Sequence, residues 1–278
     1  MRHAVITGAS QGLGRALIDA FLKRGHRVSF CARRPDRIDA AVAELTSTGF
    51  GERVFGYVAD VTVRAEVVGF WQALNARFGP VSVWINNAGY ARGGPSFCEL
   101  PDAEFANMLA TNLLGTATAC KVALAGLHTR GSGSLYNVVG AGADGRYVPG
   151  MLGYATTKCA LQFLTSGLAA EHQDKAVIIG TVSPGLVLTE AVARELARAP
   201  SAMRSARLLR MNMIAELPVT SAEWIADCTM NNKRNGARLV WLTRRRLLAR
   251  RLFARFKPRD VAEKWARSGV VQTTPKQS

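Results

Sequence analysis

Acidic side chains are few in this chain of 278 residues: 20 Asp and Glu stand against 36 Lys and Arg, a formal charge of +16 at pH 7. Cysteine is scarcer. The five, Cys31, Cys98, Cys120, Cys159 and Cys228, are odd in number and lack metal-ligand spacing. They exclude a complete disulfide framework, give no metal site, and point to a reduced, cytosolic compartment. No run of about 18 apolar residues occurs, so no segment reads as a membrane-spanning helix. Strand-like residues begin at position 3, so no signal or transit peptide is expected within this sequence. Linkers, low-complexity tracts and internal repeats are missing too. With 48% hydrophobic residues, the chain is expected to bury one full core as a single α/β domain.

Alternating apolar patterns supply that fold. Strands are expected near 3–6, 27–31, 53–58, 81–85, 133–139, 176–182 and 237–242, separated by helices near 12–24, 36–47, 62–77, 102–129 and 154–172. Such alternation predicts a doubly wound parallel sheet with helices on both faces. The first strand runs into Thr7-Gly8-Ala9-Ser10-Gln11-Gly12-Leu13-Gly14 and then an amphipathic helix. Glycines at 8, 12 and 14 would let the backbone approach a pyrophosphate at the helix N-terminus. A tight strand-to-helix connection would use the same glycines.

Tyr154 and Lys158 stand four residues apart in a helical stretch. That spacing places phenol and ammonium on one face, where the cation could lower the tyrosine pKa from about 10. A solvated helix face gives the same pair. Further landmarks follow in order: Asn86-Asn87-Ala88-Gly89 after an apolar strand, Asn112 inside a long helix, and Pro184-Gly185-Leu186-Val187-Leu188-Thr189 after another strand. Together these five resemble the short-chain dehydrogenase/reductase family over about residues 3 to 240.

The resemblance implies a Rossmann-type doubly wound parallel seven-stranded sheet in one domain. It also implies NAD(P)H-dependent carbonyl chemistry in which Tyr154 gives a proton to the substrate oxygen, Lys158 holds the nicotinamide ribose and depresses the tyrosine pKa, and Asn112 anchors a water. Gly8, Ser10, Gln11, Gly12, Leu13 and Gly14 would hold the pyrophosphate, and Asn87, Ala88 and Gly89 would line the same cleft. Asp60 and Val61 would meet the adenine, and Pro184, Gly185, Val187 and Thr189 the carboxamide end. Where NAD-binding relatives carry an acidic residue, Phe30-Cys31-Ala32-Arg33-Arg34 presents two guanidinium groups. Arginine pairs with phosphate, so NADPH is favoured over NADH. Capping of a loop is the plain alternative for Arg33 and Arg34.

One expected residue is missing. Relatives place a serine thirteen or fourteen residues before the tyrosine, and here those positions hold Gly140 and Ala141. A backbone amide, Tyr147 or Tyr154 alone would then hold the substrate oxygen, or the protein only binds nucleotide. The turn Asn137-Val138-Val139-Gly140-Ala141-Gly142-Ala143-Asp144-Gly145, the later Glu216-Leu217-Pro218 and the arginines after Thr243 resemble the chlorophyll b reductases of the family. That likeness implies reduction of a C7 formyl group; another bulky apolar aldehyde or ketone is the broader expectation.

The segment 190–215 is expected to be a substrate lid, with Met203, Leu208, Leu209, Met211, Met213 and Ile214 lining a pocket or packing the lid on the core. The dehydrogenase domain is expected over 1–243 and a basic amphipathic extension over 244–278. Thirteen Lys or Arg face only Asp260 and Glu263 between Lys233 and Arg267. From Arg244 to Lys257, Leu248, Ala249, Leu252, Phe253 and Phe256 share one helical face, with Arg244, Arg246, Arg250, Arg251, Arg255 and Lys257 on the other. Such a helix packs on its own domain, lies on an anionic membrane, or meets a partner. Nucleic acid is not expected, because stacking aromatics are not interleaved with the basic residues. By resemblance, the helices near 102–129 and 154–172 pair in a homo-oligomer.

Overall fold

Strand β1 (His3–Thr7) is buried at every position, and a strand covered on both faces must be apolar or internally satisfied throughout. His3 meets that demand through bonds: Nδ1 lies 3.0 Å from the Gly79 carbonyl and Nε2 2.8 Å from Ser29 Oγ. Burial holds its pKa down at about 4, so the ring stays neutral. The computed structural model describes residues 1–94, 96–190, 192–193, 211–253, 259–261 and 264–265.

Within these residues the further strands are β2 (Arg27–Ala32), β3 (Val54–Val58), β4 (Val83–Asn86), β5 (Gly133–Val138), β6 (Val177–Ser183), β7 (Leu186–Val187), β8 (Ala215–Glu216) and β9 (Ala237–Val240). Seven of them form one parallel sheet in the order β3-β2-β1-β4-β5-β6-β9, while β7 and β8 pair separately, also parallel. The helices are α1 (Gly12–Lys23), α2 (Pro35–Ser47), α3 (Arg64–Phe78), α4 (Asp102–Met108), α5 (Thr116–Arg130), α6 (Leu152–Glu171), α7 (Pro218–Asn231) and α8 (Arg244–Phe253). Leu17, Phe21, Ile38, Leu45 and Ile225 of α1, α2 and α7 fill one side of the sheet, and Phe70, Leu74, Ala123 and Leu127 of α3 and α5 the other. Both faces are therefore covered, as a parallel sheet requires.

The expected sheet is present, with edges shifted by one or two residues: β4 starts at Val83 and β9 stops at Val240. The expected single helix over 102–129 is instead α4, a π-helical turn Leu109–Gly115, and α5. Apolar patterning does not register the extra residue that a π turn inserts. Against the expectation that no segment reads as a membrane span, the continuous stretch Asp102–Arg130 is long and apolar enough to cross a membrane, with mean hydropathy 1.3, yet half of its most apolar part is buried inside the fold. Packing, rather than composition, makes it a core helix. β1 and β4 are neighbours from which the chain winds in opposite directions, so a crevice opens beyond their carboxyl ends.

Candidate active site

The turn leaving β1 enters that crevice. Gly8 and Gly12 have φ of +64° and +59°, conformations that glycine adopts without strain. A Cβ on Gly8 would stand 2.5 Å from Ala88 Cα, and one on Gly14 2.6 Å from the Gly8 carbonyl oxygen. Both positions thus require glycine for close packing. α1 starts at Gly12 with Gln11 as N-cap, no side-chain cap bond and no acidic residue in its first turn. Its leading amides suit an anion. Ser10 and Gln11 are half-buried beside them, but the Leu13 side chain belongs to the hydrophobic core, which leaves Leu13 only its main chain for a ligand.

Beyond β2, Arg33 and Arg34 are exposed. Arg34 is folded onto Asp36 at 2.5 Å, whereas Arg33 lies 3.9 Å from Asp60. Asp60 Oδ1 accepts from the Thr62 amide and hydroxyl, while Val61 is buried against Gly115. A third cation was not anticipated from the sequence. Arg37, in the first turn of α2, donates to Gln11 Oε1 and lies 3.6 Å from Glu190. Its position three residues after Arg34, beyond the helix-starting Pro35, was the available signal.

The loop after β4 is tied to the glycine turn. Thr7 Oγ1 accepts from the Asn87 and Ala88 amides at 3.1 Å each, and Asn87 Nδ2 donates to the Thr7 and Gly8 carbonyls. A Cβ on Gly89 would lie 3.4 Å from Asn112 Oδ1 and 3.7 Å from Lys158 Nζ, so Gly89 brings the central pieces together. Asn112, in the π turn, is fully buried. Its Oδ1 accepts from Tyr90 N, and its Nδ2 donates to Tyr90 O and Thr157 Oγ1. The side chain thus ties the loop to α6. These bonds engage both polar atoms of the side chain, so the water-binding role implied for Asn112 by resemblance would have to use its main chain.

Tyr154 and Lys158 come from the first two turns of α6. The Lys158 ammonium donates to the Val138 carbonyl at 3.0 Å and lies 5.6 Å from the Tyr154 ring centroid. Burial pushes Tyr154 up to about 12 and Lys158 down to about 8. Burial thus acts in the opposite direction to the depression of the tyrosine expected from its lysine. The missing serine has a geometric counterpart. A Cβ built at Gly140 would stand 2.5 Å from Tyr154 Oη, and one at Gly142 2.3 Å from Ala155 Cβ. The glycine-rich turn lets α6 and its phenol press against the end of β5. Tyr147 is 71% exposed on the loop before α6.

The cleft is closed by the turn after β6. Pro184 and Val187 are buried, Gly185 has φ of +79°, and a Cβ on Gly12 would be 3.2 Å from Thr189 Cγ2. Thr189 therefore faces the glycine turn. Met211 is buried and Met213 and Ile214 half-buried, while Met203, Leu208 and Leu209 lie outside the described residues. Among the described residues, no group of His, Cys, Asp or Glu could hold a metal ion.

Residues 2–199 match the short chain dehydrogenase family, and the chain belongs to it. It is 34% identical over 232 residues, 80% of its length, to chlorophyll(ide) b reductase NOL of Arabidopsis thaliana, and 30% identical over 263 residues, 89% of its length, to the rice protein named probable chlorophyll(ide) b reductase NYC1. It spans 64% and 51% of those two relatives. Among solved structures, ElxO with NADP bound superposes with a TM-score of 0.77 at 26% identity, covering 86% of this chain and 96% of that one. An actinorhodin polyketide ketoreductase variant with NADPH gives the same TM-score and identity, covering 86% and 95%.

Two outcomes follow from the geometry. Gly140→Ser, which returns the family's serine, places a Cβ 2.5 Å from Tyr154 Oη and should displace the phenol; any carbonyl reduction that uses Tyr154 as its acid should then lose about tenfold or more in kcat, and a gain in kcat would show that the phenol tolerates the serine. Reduction should also fall above pH about 8, where Lys158 loses its charge. Below that pH the ammonium is present and the rate should level off. A pH profile of kcat/KM checks this, and a flat profile to pH 9.5 would count against it.

Proposed function

We propose that this protein is an NADPH-dependent carbonyl reductase acting on the C7 formyl group of chlorophyll b or chlorophyllide b. The observation that carries the reading is the approach of Tyr154 Oη to Gly140: the position of the usual serine has been given over to the phenol, in a chain whose similar relatives are named chlorophyll(ide) b reductases. The site fits the cofactor through the glycine cradle, the uncapped α1 N-terminus and the arginines beyond β2. The structural neighbours that bind NADP or NADPH support the same choice.

NADPH, when bound, supplies a hydride to the carbonyl carbon. Gly8 to Gly14 would hold the pyrophosphate, Arg33 with Arg34 or Arg37 the 2′-phosphate, Asp60 and Val61 the adenine, and Thr189 with Pro184, Gly185 and Val187 the carboxamide. Asn87, Ala88 and Gly89 would line the floor of the cleft, which Asn112 ties to α6. Lys158 would bind the ribose hydroxyls. Tyr154 keeps its proton at neutral pH, as any phenol does, and burial makes it a still weaker acid. It releases the proton only to an oxygen gaining alkoxide character, a stronger base than the phenolate. No second side-chain donor is needed in this scheme. A bulky apolar aldehyde or ketone of another kind would be handled identically.

Association with membrane and with a second copy belongs to the same reading. The apolar face expected on α8 points outward: Leu248 and Leu252 are 58% and 63% exposed, with Arg244, Arg245 and Arg251 exposed around them, while Arg250 turns inward. Phe256, Arg255 and Lys257 lie outside the described residues. Two leucines ringed by arginines suit the boundary of an anionic bilayer. Leu114 and Phe163, 64% and 82% exposed on the π turn and α6, suit a homo-oligomer. All five cysteines are free, in keeping with a reducing compartment.

Purified protein given NADPH and chlorophyllide b in detergent should form the hydroxymethyl product, seen in the pigment spectrum. Tyr154→Phe should lose at least about a hundredfold in kcat with NADPH binding kept. Turnover of other apolar aldehydes but not of the pigment would move the substrate; unchanged behaviour of Tyr154→Phe would sink the enzymatic reading. Liposomes containing phosphatidylglycerol should bind the protein in a salt-dependent way, and Arg244→Glu with Arg245→Glu should release it. Equal binding of neutral liposomes would refute the docking.

A further inference from the structure

The C-terminal segment reaches the site through a buried ion cluster that no part of the proposed chemistry uses. Glu216 ends β8, and its side chain is only 9% exposed. Its Oε1 accepts from Arg250 of α8 and, at 2.9 Å, from Arg259. The same guanidinium groups cap a run of main-chain carbonyls: Arg250 donates to Met213 O, and Arg259 to Asn212 O, Met213 O and Ala215 O at 2.9 to 3.2 Å. Residues 211–214 are helical, so these carbonyls lie where a helix leaves its acceptors unpaired and where positive charge is favourable. Beneath the ions, Val261 and Trp265 pack with Met211, Ala215 and Leu188 in one buried apolar cluster. The described part of the extension is thus fastened to residues 211–216 by both charge and burial.

The other side of Glu216 faces the cofactor cleft. Its backbone carbonyl accepts from Leu188 N at 2.9 Å, and β7 pairs with β8 through Leu186–Ala215 and Val187–Glu216. Leu188 is followed by Thr189, whose methyl group would be 3.2 Å from a Cβ at Gly12. We propose that Glu216 is a positioning residue: clamped by Arg250 and Arg259, it sets the height of the Leu186–Thr189 segment over the nicotinamide half of the cleft. Glu216 touches no reacting atom in this arrangement. Removing its charge leaves two partly buried guanidinium groups facing each other. They then separate, β8 moves with them, and Leu188 and Thr189 lose their fixed support, while the glycine cradle and the arginines beyond β2 keep theirs.

The proposal rests on the NADPH reading and is tested apart from any substrate. Binding of NADPH is compared with that of 2′,5′-ADP, a fragment carrying the adenosine phosphates but no nicotinamide. The unaltered protein, measured first, should bind both; failure to do so sinks the nucleotide reading and this proposal with it. Glu216→Gln and Arg259→Gln should each weaken NADPH by about tenfold and leave 2′,5′-ADP within about twofold, and the double variant should be no weaker than the poorer single one, since both break one cluster. Glu216→Asp should recover part of the NADPH affinity. Equal weakening of the two ligands, full additivity, or NADPH binding that ignores both substitutions would each overturn the proposal. Arg259→Gln keeps the test decisive if Glu216→Gln does not fold.

Discussion

The contact on which this site depends is the near-touch of two backbones, Gly8 against Ala88, where no Cβ intervenes. Thr7 reinforces it by accepting two amides from the opposite loop. These bonds hold the ends of β1 and β4 together, so the crevice between them has a fixed width. Everything downstream is measured from that joint. Gly89 places Asn112 and Lys158, Asn112 ties α6 through Thr157, and α6 carries Tyr154 to the end of β5. The site is therefore rigid along its floor, which matters because proton donation to an oxygen tolerates little error in position.

Much of this was legible in the sequence because it is carried by local rules. Alternation of apolar runs gave the parallel sheet, and the glycine turn, Asn87, Tyr154 and Lys158 fell where their motifs put them. What was hidden depends on separations that sequence spacing does not express. Tyr154 and Lys158 share a helix face, but the ammonium donates to the Val138 carbonyl and lies 5.6 Å from the ring centroid. The tyrosine is consequently raised by burial. In the sequence Gly140 marked only a missing serine; in the structure it makes the space that Tyr154 Oη fills. Arg37 joins the glycine turn only because α2 folds back over it.

The basic C-terminal helix shows the limit of an amphipathic pattern most plainly. A helical wheel separates leucines from arginines but does not say which side meets the domain. Hydrophobic burial would have turned Leu248 and Leu252 inward, yet Arg250 faces in, drawn by Glu216 and the Met213 carbonyl. A buried carboxylate left without a partner is costly, and two guanidinium groups are the response. The partner residue, Glu216, lies 34 positions earlier and belongs to a two-residue strand that no periodicity marks.

The helical stretch Asp102–Arg130 has a consequence for how the chain is made. It is apolar enough over 18 residues to resemble a membrane span, and only burial inside the fold distinguishes it. Its partners on one side, α3 and β4, are synthesised before it, but β5 and α6 come after. For part of its synthesis the nascent chain therefore carries an exposed sticky helix with half its socket missing. Such a chain has reason to need a chaperone until β5 and α6 have also emerged.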